Sequence, residues 1–366
     1  MNPRDVLILA PVTDPHACAL NWALERQGVR STWVPSLPTG SGSGYAFHID
    51  AASESLTSSM TDDGRGFSAV WNRRLHHPVP VCAESDKTFV GWEWKMFQRN
   101  LFALADAYEG ALWVNRLTAS QHAENKLVQL HACREVGLLF PETVVTNQAE
   151  QVDALRKKWG RIIFKSFLMH RWENEQTGKQ YGVGVPLLDE RSELPADSIA
   201  VCPGIYQRYI DKVCDIRVIV IGQRYFAVSL RSATGDAFVD WRPYSQDSSL
   251  VAEAITLPTA TEDKLRGLMR RLDLVFGCID LVVDRQGEIY FLEVNQAGQF
   301  LFVEDLVPEH PILQAMTALL RSGREDYDLD LLAGVSMAQF RASDAYAAQK
   351  EQLAQLPPER SLFSFE

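Results

Sequence analysis

The chain has 366 residues, 46% of them hydrophobic, and a formal net charge of −11. That is too long for one ordinary domain and sufficient for two or three cores, and the acidic balance argues against a general nucleic-acid binder. The six cysteines (Cys18, Cys82, Cys133, Cys202, Cys214, Cys278) stand apart without Cys-x-x-Cys or metal-like spacing, which reads as free thiols of a reducing cytoplasm.

Residues 6–10 form a short apolar run halted by Pro11, too brief for a signal peptide or a membrane span, so no membrane partner is expected. The pattern predicts a strand over 5–10, then Asp14-Pro15 as an N-cap followed by proline at the first helical position, a helix to Gln27 closed by Gly28, and a strand over 30–35. This βαβ opening begins a parallel sheet. No G-x-G-x-x-G occupies its first turn, and the glycine-serine run 39–44 lacks a following Lys-Ser/Thr, so neither a dinucleotide nor a P-loop site is supported. A strand over 67–72 delivers Arg73 and Arg74, which either grip a carboxylate bidentately or form a solvated pair at a sheet edge. His76 and His77 read as residues of a Pro-flanked turn. A mostly helical stretch 84–108 and a strand 111–114 complete an N-terminal α/β domain, residues 1–120.

A central subdomain, 121–210, starts with a helix opened by Asn125-Lys126 and stopped by Gly137. Lys126 alone reads as a solvated helix-end charge. A helix over 148–159 leads to a strand 161–164 ending in Lys165, and a strand-borne lysine next to a core is unusual unless its ammonium meets an anion. Residues 166–185 carry Gly178, Gly182 and Gly184 and predict a hairpin that is either a closing flap or an ordinary exposed loop.

The third region, 211–325, is α+β in pattern. Strands 215–221 and 225–231 flank a turn at Gly222, with Asp215 and Arg217 on one strand face. Thr259 and Glu262 suggest a capping box, and Leu265, Leu268, Met269 and Leu272 an apolar helix stripe. Residues 277–295 read as two strands joined by the turn 284–287. Glu293 and Asn295 share a face; Asp280 joins them only if an even-membered loop or a bulge sets the register. Two carboxylates and an amide oxygen are hard ligands suited to Mg²⁺ completed by phosphates and water, the alternative being solvated positions of an edge hairpin. A tail, 326–366, with a helix expected over 335–355, has no assigned role.

An Asp on one strand followed by Glu-x-Asn on the next resembles the metal site of the ATP-grasp ligases. Asp240-Trp241-Arg242, the run from Glu293-Val294-Asn295-Gln296-Ala297-Gly298-Gln299-Phe300 to Glu304, and Val70-Trp71-Asn72-Arg73-Arg74 look more narrowly like the graspetide synthetases, which macrocyclise microviridin-type peptides. The resemblance implies an N-terminal pre-ATP-grasp domain and two ATP-grasp subdomains, with ATP and Mg²⁺ as cofactors. By that resemblance Lys126 and Lys165 contact the ATP phosphates, and Gln207, Arg208 and Tyr209 form the hinge that reads adenine through backbone groups. Asp215 accepts the ribose hydroxyls. Arg217 and Arg231 face the γ-phosphate and the carboxylate being activated, the alternative for Asp215 and these arginines being structural ion pairs. Asp280, Glu293 and Asn295 bind the metal, and Arg73, Arg74, Asp240 and Arg242 the substrate. The implied reaction activates a carboxylate as an acyl phosphate and joins it to a hydroxyl or amine. The partner is a precursor peptide with an acidic core, a small-molecule carboxylate–amine ligase of the glutathione synthetase or D-alanine ligase type is the alternative, and a homodimer is the expected assembly.

Overall fold

A computed structural model describes residues 5–11, 13–34, 45–49, 51, 54–58, 67–74, 87–100, 108, 110–167, 171–174, 179–182, 184–234, 238–241, 249–330 and 334–355. The N-terminal part is the expected parallel sheet. Strands β1 (Asp5–Leu9), β2 (Ser31–Val34), β5 (Phe67–Asn72) and β6 (Leu112–Val114) lie in the order β2-β1-β5-β6, all parallel. Helix α1 (Pro15–Arg26) crosses between the first two, with the Asp14 carboxylate accepting from the backbone N–H groups of His16 (2.9 Å) and Ala17 (3.0 Å). A hairpin of β3 (Tyr45–Ile49) and β4 (Glu54–Ser58) lies in a polar stretch to which the sequence pattern assigned no strands. Helix α2 (Lys87–Asn100) falls within the expected helical stretch. The glycine-serine run 39–44 and His76-His77 lie outside the described residues.

A short helix α3 (Leu117–Glu124), to which the sequence pattern assigned no element, leads into α4 (Lys126–Val136), where Asn125 caps the N–H groups of Leu127 and Val128 and Gly137 closes the helix at φ 72°. The central sheet is antiparallel, in the order β11-β8-β12-β7, from β7 (Thr143–Thr146), β8 (Ile162–Lys165), β11 (Leu187–Leu188) and β12 (Gly204–Arg208). One face packs on α5 (Ala149–Trp159) and α6 (Ala196–Ala200) through Val152, Leu155, Ile162, Ile199 and Tyr206. The expected flap contains a hairpin of β9 (Arg171–Asn174) and β10 (Lys179–Gly182).

The third sheet is also antiparallel, in the order β15-β14-β13-β16-β17, from β13 (Lys212–Ile221), β14 (Arg224–Ser232), β15 (Leu250–Ile255), β16 (Phe276–Asp284) and β17 (Ile289–Asn295). Its middle strand is apolar on both faces because both are covered. Ile216, Val218 and Val220 pack with α4 and with α7 (Thr259–Arg271), while Ile219 and Ile221 pack with the N-terminal sheet, α1 and α9 (Ile312–Ser322). The C-terminal sheet therefore sits between the parallel domain and the helix pair that carries Lys126.

Two local expectations are corrected. Pro258, not Thr259, occupies the N-cap of α7, no side chain caps it, and Glu262 instead pairs with Arg266 one turn on at 2.5 Å. The tail is not one helix: α10 (Met337–Arg341) ends at Ala342 and α11 (Asp344–Gln355) restarts, with Phe340 buried and its ring 5.5 Å from that of Trp22 on α1. The described part of the tail thus packs on the core, and α8 (Phe302–Leu306) joins it through Glu304, whose carboxylate accepts from the N–H groups of Leu313 and Met337, both at 2.7 Å. One buried acid caps two helix starts.

Candidate active site

The β16–β17 register decides whether the acidic residues meet. The turn pairs Asp284 with Glu288, a three-residue loop that by itself would set Leu292 opposite Asp280. The register shifts between Asp280 and Leu281, so that Asp280 stands opposite Glu293 and Cys278 opposite Asn295. This is the bulge the ligand reading required, and it turns Asp280, Glu293 and Asn295 onto one face.

Two cations already balance this face. Arg217, directly across from Asp280 on β13, donates to its Oδ1 at 2.7 Å, with both side chains 5% exposed. Lys126 donates to Glu293 Oε2 at 2.6 Å, with 28% and 18% of the two side chains exposed, and the Asn295 amide donates to Glu293 Oε1 at 3.3 Å. Lys126 occupies the first turn of α4, where the helix dipole disfavours a cation, so the carboxylate opposite is what holds it there. Further along the same face of β13, Asp215 accepts from Lys212 at 2.7 Å, both buried. Burial pushes the Asp215 carboxyl up to about 6 against the pull of Lys212.

The described residues contain no group of three or more His, Cys, Asp or Glu side chains able to hold a metal. The trio on β16 and β17 has only two carboxylates and one amide, and both carboxylates carry a cationic partner. That donor set does not make a self-sufficient protein cage, but it fits Mg²⁺ arriving with phosphate oxygens, which Lys126 and Arg217 can also meet.

The loop after β17 is clamped by its carbonyls. Asn115 donates to the carbonyls of Gln296 (3.1 Å) and Phe276 (2.9 Å) and accepts from the N–H groups of Val275 (2.8 Å) and Phe276 (2.9 Å). Arg73 donates to the carbonyls of Ala297 and of Gly298, the latter at 3.0 Å, and Arg217 to that of Gln299 at 2.8 Å. The Gln299 side chain bonds His16 Nε2, and burial with the nearby Arg73 charge lowers His16 to about 3, leaving a neutral ring stacked on Phe300.

Several expected roles change. Arg73 is not open to a substrate: its side chain is fully buried, with Nε on Asp14 at 3.1 Å, so it joins the α1 cap to the loop. Its neighbour Arg74 is exposed and donates to the Ala297 carbonyl at 3.2 Å. Arg231 does not face Arg217's partners. Leu230 pairs with Asp215, so alternation turns Arg231 to the other sheet face, where it pairs with Glu253 at the rim. The hinge backbone is partly used: the N–H groups of Arg208 and Tyr209 are bonded to the carbonyls of Glu142 (2.9 Å) and Arg161 (3.2 Å), so those two donors cannot read a base. The Arg208 guanidinium lies 4.0 Å over the Trp159 ring.

Lys165 donates to the Gln207 side chain at 3.0 Å, and Gln207 to Thr143 at 2.9 Å, on the face of the central sheet away from α5. Asp240 is half-buried, and its charge helps to raise Asp215; the Trp241 ring lies 5.8 Å from the Arg217 guanidinium and stacks on Phe302. Arg242 is outside the described residues. Lys212, Asn115 and Gln129 were not anticipated; Gln129 is buried against β17 and bonds both backbone groups of Val294.

No family model matches the chain, and no curated relative does. Solved structures do. A RiPP-associated ATP-grasp ligase of Chryseobacterium gregarium, in complex with ADP and a leader and core peptide, aligns with a TM-score of 0.73 at 20% identity, over 88% of this chain and 98% of its own. The chain has the ATP-grasp fold. Two macrocyclases of Microcystis aeruginosa share it: MdnC, bound with precursor peptide MdnA, at TM-score 0.70 and 21% identity over 86% of this chain and 99% of its own, and MdnB at 0.66 and 24% over 87% and 99%. In an ATP-grasp fold spanning nearly the full length of these structures, the acidic row on β16 and β17 lies in the third sheet, flanked by α4 and the N-terminal domain.

Proposed function

We propose that the protein is an ATP-dependent ligase that activates a side-chain carboxylate of a ribosomal precursor peptide and closes an ester or amide macrocycle. The observation that carries this reading is the bulge-set row Asp280, Glu293 and Asn295 with Lys126 and Arg217 bonded to it, in a chain whose fold is that of peptide-bound ATP-grasp ligases. The γ-phosphoryl group of ATP passes to a carboxylate oxygen as ADP leaves, and the hydroxyl or amine then attacks the acyl carbon as phosphate departs.

Asp280, Glu293 and Asn295 would hold Mg²⁺, which when bound neutralises phosphate charge. Lys126 and Lys165 hold phosphate oxygens, and Arg217 meets the negative charge that develops on the transferring group. Asp215 serves the ribose, and the hinge over Gln207, Arg208 and Tyr209 serves the base through backbone groups other than the occupied N–H groups of Arg208 and Tyr209. The β9–β10 hairpin is the cover that keeps water from the acyl phosphate. Arg74, Asp240 and Arg242 are the residues assigned to the acidic core of the peptide. No described helix is long and apolar enough to cross a membrane.

The test is ADP release with Mg²⁺ and ATP, comparing acidic peptides encoded near the gene with free amino acids, and Glu293→Gln as control. Peptide-stimulated turnover, loss of water from the peptide by mass spectrometry, and a fall of about two orders of magnitude or more in the variant are expected. Turnover with small acids alone would replace the macrocyclase with a small-molecule ligase.

A further inference from the structure

Helix α4 carries two polar side chains toward β17, and only the first resembles a catalytic group. Lys126 reaches Glu293; Gln129, three residues on and 1% exposed, reaches the next backbone unit. Its Oε1 accepts from the Val294 N–H at 3.0 Å, and its Nε2 donates to the Val294 carbonyl at 2.9 Å and to the Ala123 carbonyl at 2.6 Å. A primary amide that both accepts from and donates to one residue of an edge strand does there what a neighbouring strand would do. Val294 is the residue between Glu293 and Asn295, and its own side chain is buried on the opposite face, in the core shared with α4 and α7. The strand is thus fixed at the step between two ligands, just past the bulge that sets their register.

We propose that Gln129 is a positioning residue for the metal ligands: by fixing the backbone of Val294 it holds Glu293 and Asn295 at ligand spacing. This rests on the reading of Asp280, Glu293 and Asn295 as Mg²⁺ ligands. The geometry makes the bond set specific. The Gln129 Oε1 and Nε2 each have a designated partner, all three bonds are buried, and Ala123, the last of the partners, belongs to α3, so one side chain ties α3, α4 and β17 together. Without the amide, the Val294 N–H and carbonyl lose their partners at an edge where a bulge already weakens pairing, and the strand can relax toward the unbulged register that sends Glu293 away from Asp280.

The experiment measures Mn²⁺ binding by electron paramagnetic resonance in the presence of ADP, and ADP binding by calorimetry without metal, for the wild type, Glu293→Gln, Gln129→Met and Gln129→Glu. Gln129→Met keeps the volume and removes all three bonds; Gln129→Glu keeps the acceptor for Val294 N–H and sets a carboxylate oxygen against two carbonyls. The expected result is a weakening of Mn²⁺ binding by about 10- to 100-fold in the Gln129 variants, with metal-free ADP binding unchanged, which also reports that the variants are folded. Equal loss of metal-free and metal-dependent binding would reduce Gln129 to a packing residue, and unchanged Mn²⁺ affinity in either folded variant would overturn the proposal. If the wild type binds ADP but no Mn²⁺, and Glu293→Gln matches it, the metal reading itself fails and takes the proposal with it; that outcome is separated from the others by the wild-type arm alone.

Discussion

Arg73 and Arg217 are both almost completely buried and both donate to carbonyls of the same short loop, Arg73 to Ala297 and Gly298 and Arg217 to Gln299. They differ in the carboxylate each one meets. Asp14 already accepts two backbone N–H groups as the cap of α1, so Arg73 completes an architectural joint. Asp280 stands beside Glu293 and Asn295, so Arg217 balances charge in the row proposed above to bind the metal. Burial of an arginine is therefore no guide to its role; what its partner is free to do decides it. Removing one member of a buried pair strands the other, so Arg73→Met is expected to lose about 3–5 kcal/mol in urea unfolding, with Mg²⁺-dependent ADP binding retained by the folded fraction. Arg217→Lys keeps the charge but not the planar fork, and is expected to remain able to bind ADP while losing turnover. A variant pair with these effects exchanged would break the comparison.

The loop between the two arginines gives a smaller effect. A Cβ on Gly298 would lie 2.8 Å from the Cys278 Cβ and 2.9 Å from its Sγ, and 3.1 Å from the Arg217 guanidinium. The Cys278 Cβ is anchored on β16 and cannot swing away. Gly298→Ala is expected to cost about 1–3 kcal/mol of stability and to lower turnover through Arg217, as a melting curve and ADP release would show. Wild-type stability would mean that the loop is free to shift and the clamp is weaker than its hydrogen bonds suggest.

Lys212 and Asp215 extend the comparison to a pair whose charge state changes with pH. Burial raises Asp215 from 3.8 to about 6. The folded chain then holds a proton that the unfolded chain has released, so the contribution of this group to stability falls as pH rises from about 4 to about 6 and is level above that. Asp215→Asn is expected to remove this fall. Urea midpoints collected across the window should show wild-type stability declining relative to the variant with rising pH, and parallel curves would mean that Lys212 fully compensates the burial.

Much of this was readable in the sequence, and the failures have physical reasons. The condition that Asp280 could join Glu293 and Asn295 through a bulge followed from period-two alternation alone, whereas Lys126 read by itself as a solvated helix-end charge, and only the family resemblance singled it out. Arg73 and Arg74 could not be separated, because the contact that buries the first lies on a loop more than two hundred residues away. Gln129 and Asn115 looked like ordinary polar positions; the one available signal for Gln129 was a polar residue close to the apolar pair Ala132 and Cys133 on the same helix. The single tail helix failed because Ser343 and Phe340 divide it, the Ser343 hydroxyl bonding back to the Phe340 carbonyl at 2.6 Å.

Arg231 is the error that the sequence could have prevented, and it supplies the smallest predicted effect. Ile221 pairs with Arg224 across the two-residue turn at Gly222 and Gln223, and counting back along both strands sets Arg217 opposite Val228 and Asp215 opposite Leu230. Arg231, one residue further, points to the face that Cys214 shares with Ile216 and Val218. Its partner Glu253 is also about half exposed, and a rim pair of this kind contributes under about 1 kcal/mol. Arg231→Ala is therefore expected to leave the melting temperature and ADP release almost unchanged under conditions where Arg217→Lys loses turnover. If Arg231→Ala instead abolished turnover with folding intact, both faces of the third sheet would have to take part in the reaction, and the contrast between a buried arginine at the acidic row and an exposed one at the rim would fail.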